Sequence, residues 1–116
     1  MARIRLGGEG EAAAAAWYRS RGYTVVARNW RCRDGEIDLI LRAGRLLVFC
    51  EVKARTTAAF GYAVEAVTPA KQAKVRQVAQ AFLDDRGGLR AIGAIDVRFD
   101  VAAIQAGTLD LVEGAF

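Results

Sequence analysis

Two consecutive strand-like segments joined by a short turn constrain the fold of this chain more than any other feature. The first covers residues 36–41 and follows a turn signal at Arg33-Asp34-Gly35. The second covers residues 46–54 and follows the turn Ala43-Gly44-Arg45. Short apolar runs separated by glycine-containing turns are typical of β-hairpins. The sequence therefore predicts a β-hairpin near the centre of the chain.

Helical signals lie on both sides of this hairpin. An alanine-rich segment over residues 10–21 stops at Gly22, and a second helix begins at Thr68-Pro69 and ends before Arg86-Gly87-Gly88. Alanine favours helices, threonine caps them, and proline is tolerated at the first helical position. The second helix has apolar residues at helical spacing, namely Val75, Val78, Ala79, Phe82 and Leu83.

Further strands are predicted over residues 23–30 and 94–104, with a short edge strand over 108–112 and a loop over 55–67. The resulting order, α-β-β-β-α-β, predicts an α/β fold with a central mixed sheet flanked by helices. A chain of 116 residues is one domain's worth, so we expect a single domain over 1–116.

The composition limits the available chemistry. The chain has no histidine, which excludes histidine-based catalysis and leaves carboxylates, lysine and a metal ion as resources. Its formal net charge of +4 favours a polyanionic partner such as nucleic acid, although an ordinary basic surface gives the same value.

The cysteines and the hydropathy indicate the compartment. Cys32 and Cys50 fit no zinc-binding spacing, and two isolated thiols suit a reducing cytosol. Cys50 lies within an apolar run, so we expect it to be a small buried hydrophobic residue rather than a reactive thiol. The N-terminal region has arginines but no apolar leader, and no segment is long enough to cross a membrane. We therefore expect a cytoplasmic protein with no membrane partner.

The two central strands carry the residues of chemical interest. Side-chain alternation predicts that Glu36 and Asp38 share one face of the first strand, with Ile37, Leu39 and Leu41 on the other. On the next strand, Glu51 and Lys53 share a face opposite Cys50 and Val52. A hairpin loop of two or four residues would place Asp38 nearly opposite Glu51, whereas a three-residue loop without a bulge would separate them.

Two opposed carboxylates repel each other unless something neutralises them. Mg²⁺ suits such a pair because it takes one or two carboxylates, water and a phosphate oxygen, and it can activate an attacking water. Lys53 would orient that water or balance developing charge. The alternative is that these residues form only a solvated charged face.

Two other polar regions have ordinary explanations. Glu11 fits an acidic residue favoured in a first helical turn. The second helix has polar residues that form either an ordinary soluble face or a ridge that contacts phosphates, namely Lys71, Gln72, Lys74 and Arg76.

The chain resembles the bacterial YraN-like proteins, an endonuclease-like and mostly uncharacterised family. The resemblance covers nearly the whole chain and rests on stretches in the same order and spacing: Gly10-Glu11, Gly22-Tyr23, Arg28-Asn29-Trp30, Gly35-Glu36-Ile37-Asp38-Leu39-Ile40, Val48-Phe49-Cys50-Glu51-Val52-Lys53 with Arg55, Phe60-Gly61, Glu65-Ala66-Val67-Thr68-Pro69 with Lys71-Gln72, Arg98-Phe99-Asp100-Val101 and Ala115-Phe116.

The resemblance implies a restriction-endonuclease-like fold, similar in layout to archaeal Holliday-junction resolvases. It implies a catalytic set of Glu11, Asp38, Glu51 and Lys53. Asp38 and Glu51 would bind Mg²⁺ or Mn²⁺, with the Val52 carbonyl as a further ligand and Glu11 reaching the site from the first helix. Nucleic-acid contacts are expected from Arg55, Lys71, Gln72 and Lys74.

The function implied is metal-dependent hydrolysis of DNA phosphodiester bonds, with branched DNA as a candidate substrate and a homodimer as a candidate assembly. Two alternatives remain: a catalytically silent nucleic-acid-binding or adaptor protein, and an interaction protein whose carboxylates only pair with nearby cations. The family often has a histidine before its terminal Ala-Phe, where this chain has Leu111-Val112-Glu113. Any contribution from that histidine is absent.

Overall fold

A computed structural model describes residues 8–55, 67–85, 96–105 and 107–116. The elements in chain order are α1 (Gly8–Ser20), β1 (Thr24–Cys32), β2 (Gly35–Ala43), β3 (Leu46–Arg55), α2 (Pro69–Asp85), β4 (Asp96–Gln105) and β5 (Thr108–Val112). The predicted order of helices and strands is confirmed, with bounds that differ by at most two residues. The predicted loop over 55–67 lies largely outside the described residues.

The strands form one mixed sheet in the order β1-β2-β3-β4-β5. The β1–β2, β2–β3 and β4–β5 pairs are antiparallel, and the β3–β4 pair is parallel. A parallel pair requires a crossover connection, and α2 lies in the segment between β3 and β4. The predicted mixed sheet flanked by helices is therefore confirmed.

The two helices cover opposite faces of the sheet. Leu47 and Phe49 of β3 belong to the apolar cluster of α2, whereas the alternate residues Val48 and Cys50 belong to that of α1. The α2 cluster contributes the predicted apolar stripe, namely Val75, Val78, Ala79 and Phe82. The α1 cluster contributes Ala14, Ala15 and Tyr18. Cys50 is fully buried, as predicted.

The start of α2 follows its sequence signal. Thr68 Oγ1 accepts a hydrogen bond from the Lys71 backbone N–H at 3.2 Å, which is the contact expected of a helix cap. Gln72 Nε2 donates to the Val67 carbonyl at 3.0 Å, which ties the helix to the residue before the cap. Among the described residues, neither helix is long and apolar enough to span a membrane.

The side-chain alternation of β2 differs from the prediction. Ile37 packs in the α2 cluster together with Ile40, whereas Leu39 packs in the α1 cluster. The assignment of Ile37 to the face of Leu39 and Leu41 was therefore wrong. The interruption lies beside Asn29 of β1, whose backbone φ of +48° is left-handed rather than extended. A residue with that φ rotates the strand, so regular alternation does not continue through this part of the β1–β2 pair.

Candidate active site

The β2–β3 hairpin sets the position of both central carboxylates. Ala43 pairs with Leu46, so Gly44 and Arg45 form the loop, and Gly44 supplies the positive φ of +59° that such a tight turn requires. Leu39 pairs with Cys50. This register is the one predicted for a two-residue loop, and its pairs end at Leu39 and Cys50, one residue short of Asp38 and one short of Glu51.

Asp38 is held by the backbone of the neighbouring strand. Its Oδ2 accepts a hydrogen bond from the Val52 N–H at 2.8 Å. Burial raises the pKa of this carboxyl above its usual value, and the charges of Glu11 and Glu36 raise it further, whereas the Val52 N–H and Lys53 lower it. Asp38 therefore lies where its negative charge is poorly compensated.

Glu51 is more deeply buried, with 3% of the residue exposed. Burial, followed by the charge of Asp38, raises the pKa of Glu51 to about 7. Two ammonium groups oppose this increase: Lys71 Nζ lies 3.6 Å and Lys53 Nζ 4.0 Å from Glu51 Oε2. Because α2 supplies Lys71, the site includes residues from both the hairpin and the crossover helix.

Glu11 enters the same region from the first turn of α1. It is 8% exposed, and its Oε2 accepts a hydrogen bond of 2.8 Å from Asn29 Nδ2. The helix approaches the sheet closely here, since a Cβ at Gly10 would lie 3.0 Å from Ile104 Cδ1 and 3.2 Å from Val52 Cγ1. The charge of Glu11 adds to the burial that raises the pKa of Asp38.

The predicted catalytic residues thus lie in one region of the sheet, and the predicted phosphate-contacting residues differ in their surroundings. Lys71 pairs with Glu51, Gln72 binds the Val67 carbonyl, and Lys74 is exposed. The side chain of Arg55 lies outside what the structure describes. The Arg76 guanidinium lies over the rings of Phe99 and Phe116, at 4.9 and 5.3 Å from their centroids.

Sequence reasoning missed two features of the site. Asn29 appeared only within the stretch Arg28-Asn29-Trp30 and had no assigned role, and the pairing of Lys71 with Glu51 was not foreseen. Glu36, whose role was open, forms an ion pair with Arg31 across the β1–β2 pair. An asparagine within a strand-like segment was the one available signal, because asparagine adopts left-handed backbone more readily than most residues.

A third buried carboxylate, that of Asp100, has different surroundings. It accepts hydrogen bonds from the Tyr18 hydroxyl at 2.6 Å and the Gly114 N–H at 3.0 Å. Arg98 also donates to both of its oxygens, at 2.8 Å each. This carboxylate is therefore fully paired within the protein and serves the packing of α1 against β4.

The donor chemistry of the Asp38–Glu51 pair fits a hard divalent cation. Within the described ranges, no group of three or more His, Cys, Asp or Glu side chains could hold a metal ion. Mg²⁺, however, requires only one or two protein carboxylates because water and substrate phosphate complete its shell. A site based on Asp38 and Glu51 meets that requirement, and Glu11 would join it only by approaching further.

Comparison with known proteins gives a consistent result. A UPF0102 protein of Acidothermus cellulolyticus is 44% identical over 126 residues, covering 99% of this chain and 96% of that protein. One from Saccharophagus degradans is 48% identical over 97 residues, covering 84% and 80%, respectively. The model of the family described as "Uncharacterised protein family UPF0102" matches residues 10–104. This confirms the predicted YraN-like resemblance, and the chain belongs to the uncharacterised protein family UPF0102.

Proposed function

We propose that this protein is a metal-dependent nuclease that hydrolyses DNA phosphodiester bonds. The observation that supports this most strongly is that Asp38 and Glu51 both adjoin the Leu39–Cys50 pair of neighbouring strands, with the pKa of both carboxyls raised by burial and that of Glu51 raised further by the charge of Asp38. Buried carboxylates with perturbed pKa values are concentrated at functional sites. A divalent cation would relieve the repulsion that the neighbouring lysines only partly offset.

Asp38 and Glu51 would hold Mg²⁺ or Mn²⁺, which supplies Lewis-acid activation of phosphate and water when bound. The Val52 N–H fixes one oxygen of Asp38 and so orients the carboxylate. Lys53 projects from β3 beside Glu51, where its ammonium group can position a water molecule or stabilise negative charge on the reacting phosphate. Lys71 adds a second positive charge from α2 and is suited to a backbone phosphate.

The finer features of the proposal follow from the resemblance described above. We propose a restriction-endonuclease-like fold, with the site on the β2–β3 hairpin and Glu11 contributed by α1. The substrate class is DNA, with branched junctions and flaps as the first structures to test. A homodimer would supply two such sites for paired cuts.

Hydrolysis assays with single substitutions test the proposal. Linear, flapped and four-way DNA are incubated with Mg²⁺ or Mn²⁺ and wild type, Asp38→Asn or Lys53→Met. We expect metal-dependent cleavage by wild type and losses on the order of 100-fold in both variants. Asp110→Asn, at an exposed position of β5, is the matched control and should cleave like wild type. Unchanged cleavage by Asp38→Asn, or cleavage that needs no metal, would refute this function.

A catalytically silent nucleic-acid-binding protein is the second candidate. It is favoured by the contacts of Lys53 and Lys71 with Glu51, which already offset part of the charge that a metal would neutralise. This alternative predicts salt-sensitive DNA binding that persists in an Asp38→Asn/Glu51→Gln variant, with no cleavage of any substrate.

A further inference from the structure

Three polar residues lie in a row across the first three strands. Arg28 pairs with Leu39, and Trp30 pairs with Ile37, so Asn29 lies opposite Asp38 in the β1–β2 pair. Asp38 in turn adjoins Leu39, which pairs with Cys50, the residue before Glu51. Asn29 is therefore aligned with the two carboxylates of the candidate active site, on the edge strand nearest to Asp38.

The backbone at Asn29 departs from the strand conformation at this point. Its φ is +48°, and it is the one residue other than glycine with positive φ within the described ranges. Ala27 and Trp30 both pack against the α2 cluster although they lie an odd number of residues apart, so side-chain alternation is interrupted between them. The register shift of the β1–β2 pair lies earlier, between Val25 and Ala27. Strained backbone of this kind is concentrated at functional sites.

The side chain of Asn29 contacts the carboxylate that α1 brings to the region. Its Nδ2 donates to Glu11 Oε2 at 2.8 Å, and Glu11 is almost completely buried. A buried carboxylate requires a hydrogen-bond donor, and the Asn29 amide meets that requirement from the strand next to Asp38. The close approach of Gly10 to Val52 and Ile104 fixes the height of the helix above the sheet.

We infer that Asn29 is a positioning residue for the candidate active site, whose left-handed backbone and side-chain amide hold the Glu11 carboxylate near Asp38, so that Glu11 can act through a water molecule on the divalent cation held by Asp38 and Glu51. This inference rests on the proposed function. Residues that orient the groups around a metal site without binding the metal typically change metal affinity by about 10-fold to 100-fold when they are removed. Asn29 would act through Glu11 and would not itself touch the metal or the substrate.

Substitution by glycine separates the two contributions of Asn29. Asn29→Gly keeps a residue that tolerates positive φ and removes only the amide, whereas Asn29→Ala removes the amide and adds backbone strain. Thr24→Gly is the matched control, because it places glycine at an exposed position of the same strand. The readouts are Mn²⁺ affinity by calorimetry and the melting temperature of each metal-free variant.

We expect Asn29→Gly to weaken Mn²⁺ binding by about 10-fold, with Thr24→Gly binding like wild type. Glu11→Gln should weaken binding to a similar degree, and the double variant Asn29→Gly/Glu11→Gln should show little further loss, because both changes remove the same contribution. A purely structural role would lower the melting temperature of Asn29→Gly without this non-additive loss of affinity.

The outcomes distinguish the inference from the proposed function. If wild type binds Mn²⁺ and Asn29→Gly binds it equally well, the positioning role is wrong and the nuclease proposal stands. Losses that simply add in the double variant would likewise overturn the positioning role. If wild type binds no Mn²⁺, the proposed function fails, and the positioning role fails with it.

Discussion

At the scale of single residues, Glu51 makes the stability of the metal-free protein depend on pH. Burial and the charge of Asp38 raise its pKa from 4.5 to about 7, so protonated Glu51 favours the folded state. The contribution of protonated Glu51 to the free energy of unfolding is complete below pH 4.5, the pKa of glutamate in the unfolded chain. It is lost as the pH rises through about 7, the pKa in the folded protein. Each unit of pKa difference corresponds to about 1.4 kcal/mol, which sets an effect of a few kcal/mol at most.

Urea unfolding in EDTA measures this effect. Between pH 5 and pH 8, the free energy of unfolding of wild type should fall more than that of Glu51→Gln, which cannot ionise at this position. Asp110→Asn, an exposed control, should follow the wild-type pH profile. Parallel profiles for wild type and Glu51→Gln would show that the Glu51 carboxylate is not destabilised by its surroundings.

Asp100 differs from Glu51 because hydrogen bonds from Arg98, Tyr18 and Gly114 compensate its buried carboxylate. Asp100→Asn breaks the paired hydrogen bonds from Arg98, and we expect a loss of about 3–5 kcal/mol in the free energy of unfolding. Tyr18→Phe removes one hydroxyl donor and should cost about 1–2 kcal/mol. Chemical denaturation of both variants tests this order, and a larger loss in Tyr18→Phe would contradict it.

At the scale of elements, local patterns in the sequence predicted most of the fold. The alanine-rich helix, the Thr68-Pro69 start and the glycine turns each depend on neighbouring residues. The helices and strands that the described ranges contain were therefore all predicted. The irregularity at Asn29 and the pairing of Lys71 with Glu51 were not found. The irregularity depends on one backbone torsion, and the pairing depends on how α2 crosses β3. The spacing of apolar residues in the sequence predicts neither of these.

The close approach of α1 to the sheet gives a test at the same scale. Gly10→Val would force branched methyl groups against Val52 and Ile104, which a Cβ alone already approaches to 3.2 and 3.0 Å. We expect a loss of about 1–3 kcal/mol in unfolding free energy, together with weaker Mn²⁺ binding as Glu11 moves away. Ala13→Val places the same side chain at an exposed position of α1 and should leave Mn²⁺ affinity unchanged.

At the scale of the whole molecule, the net charge of +4 and the lysines of the site predict salt-sensitive DNA binding. The DNA-binding constant is measured at several salt concentrations in EDTA, and its logarithm is plotted against the logarithm of the salt concentration. If Lys71 contacts one phosphate, the magnitude of the slope should be smaller by about 1 in Lys71→Ala than in wild type. Arg19→Ala, an exposed cation on α1, should leave that slope unchanged. Equal slopes for wild type and Lys71→Ala would remove Lys71 from the interface.

The central claim for the molecule is that Asp38 and Glu51 together form a divalent-cation site. Calorimetric titration of Mn²⁺ into wild type and into Asp38→Asn/Glu51→Gln tests this most directly, with circular dichroism to establish that both are folded. The account predicts saturable binding to wild type and none to the folded double variant. Equal binding to both proteins, or no saturable binding to wild type, would contradict it.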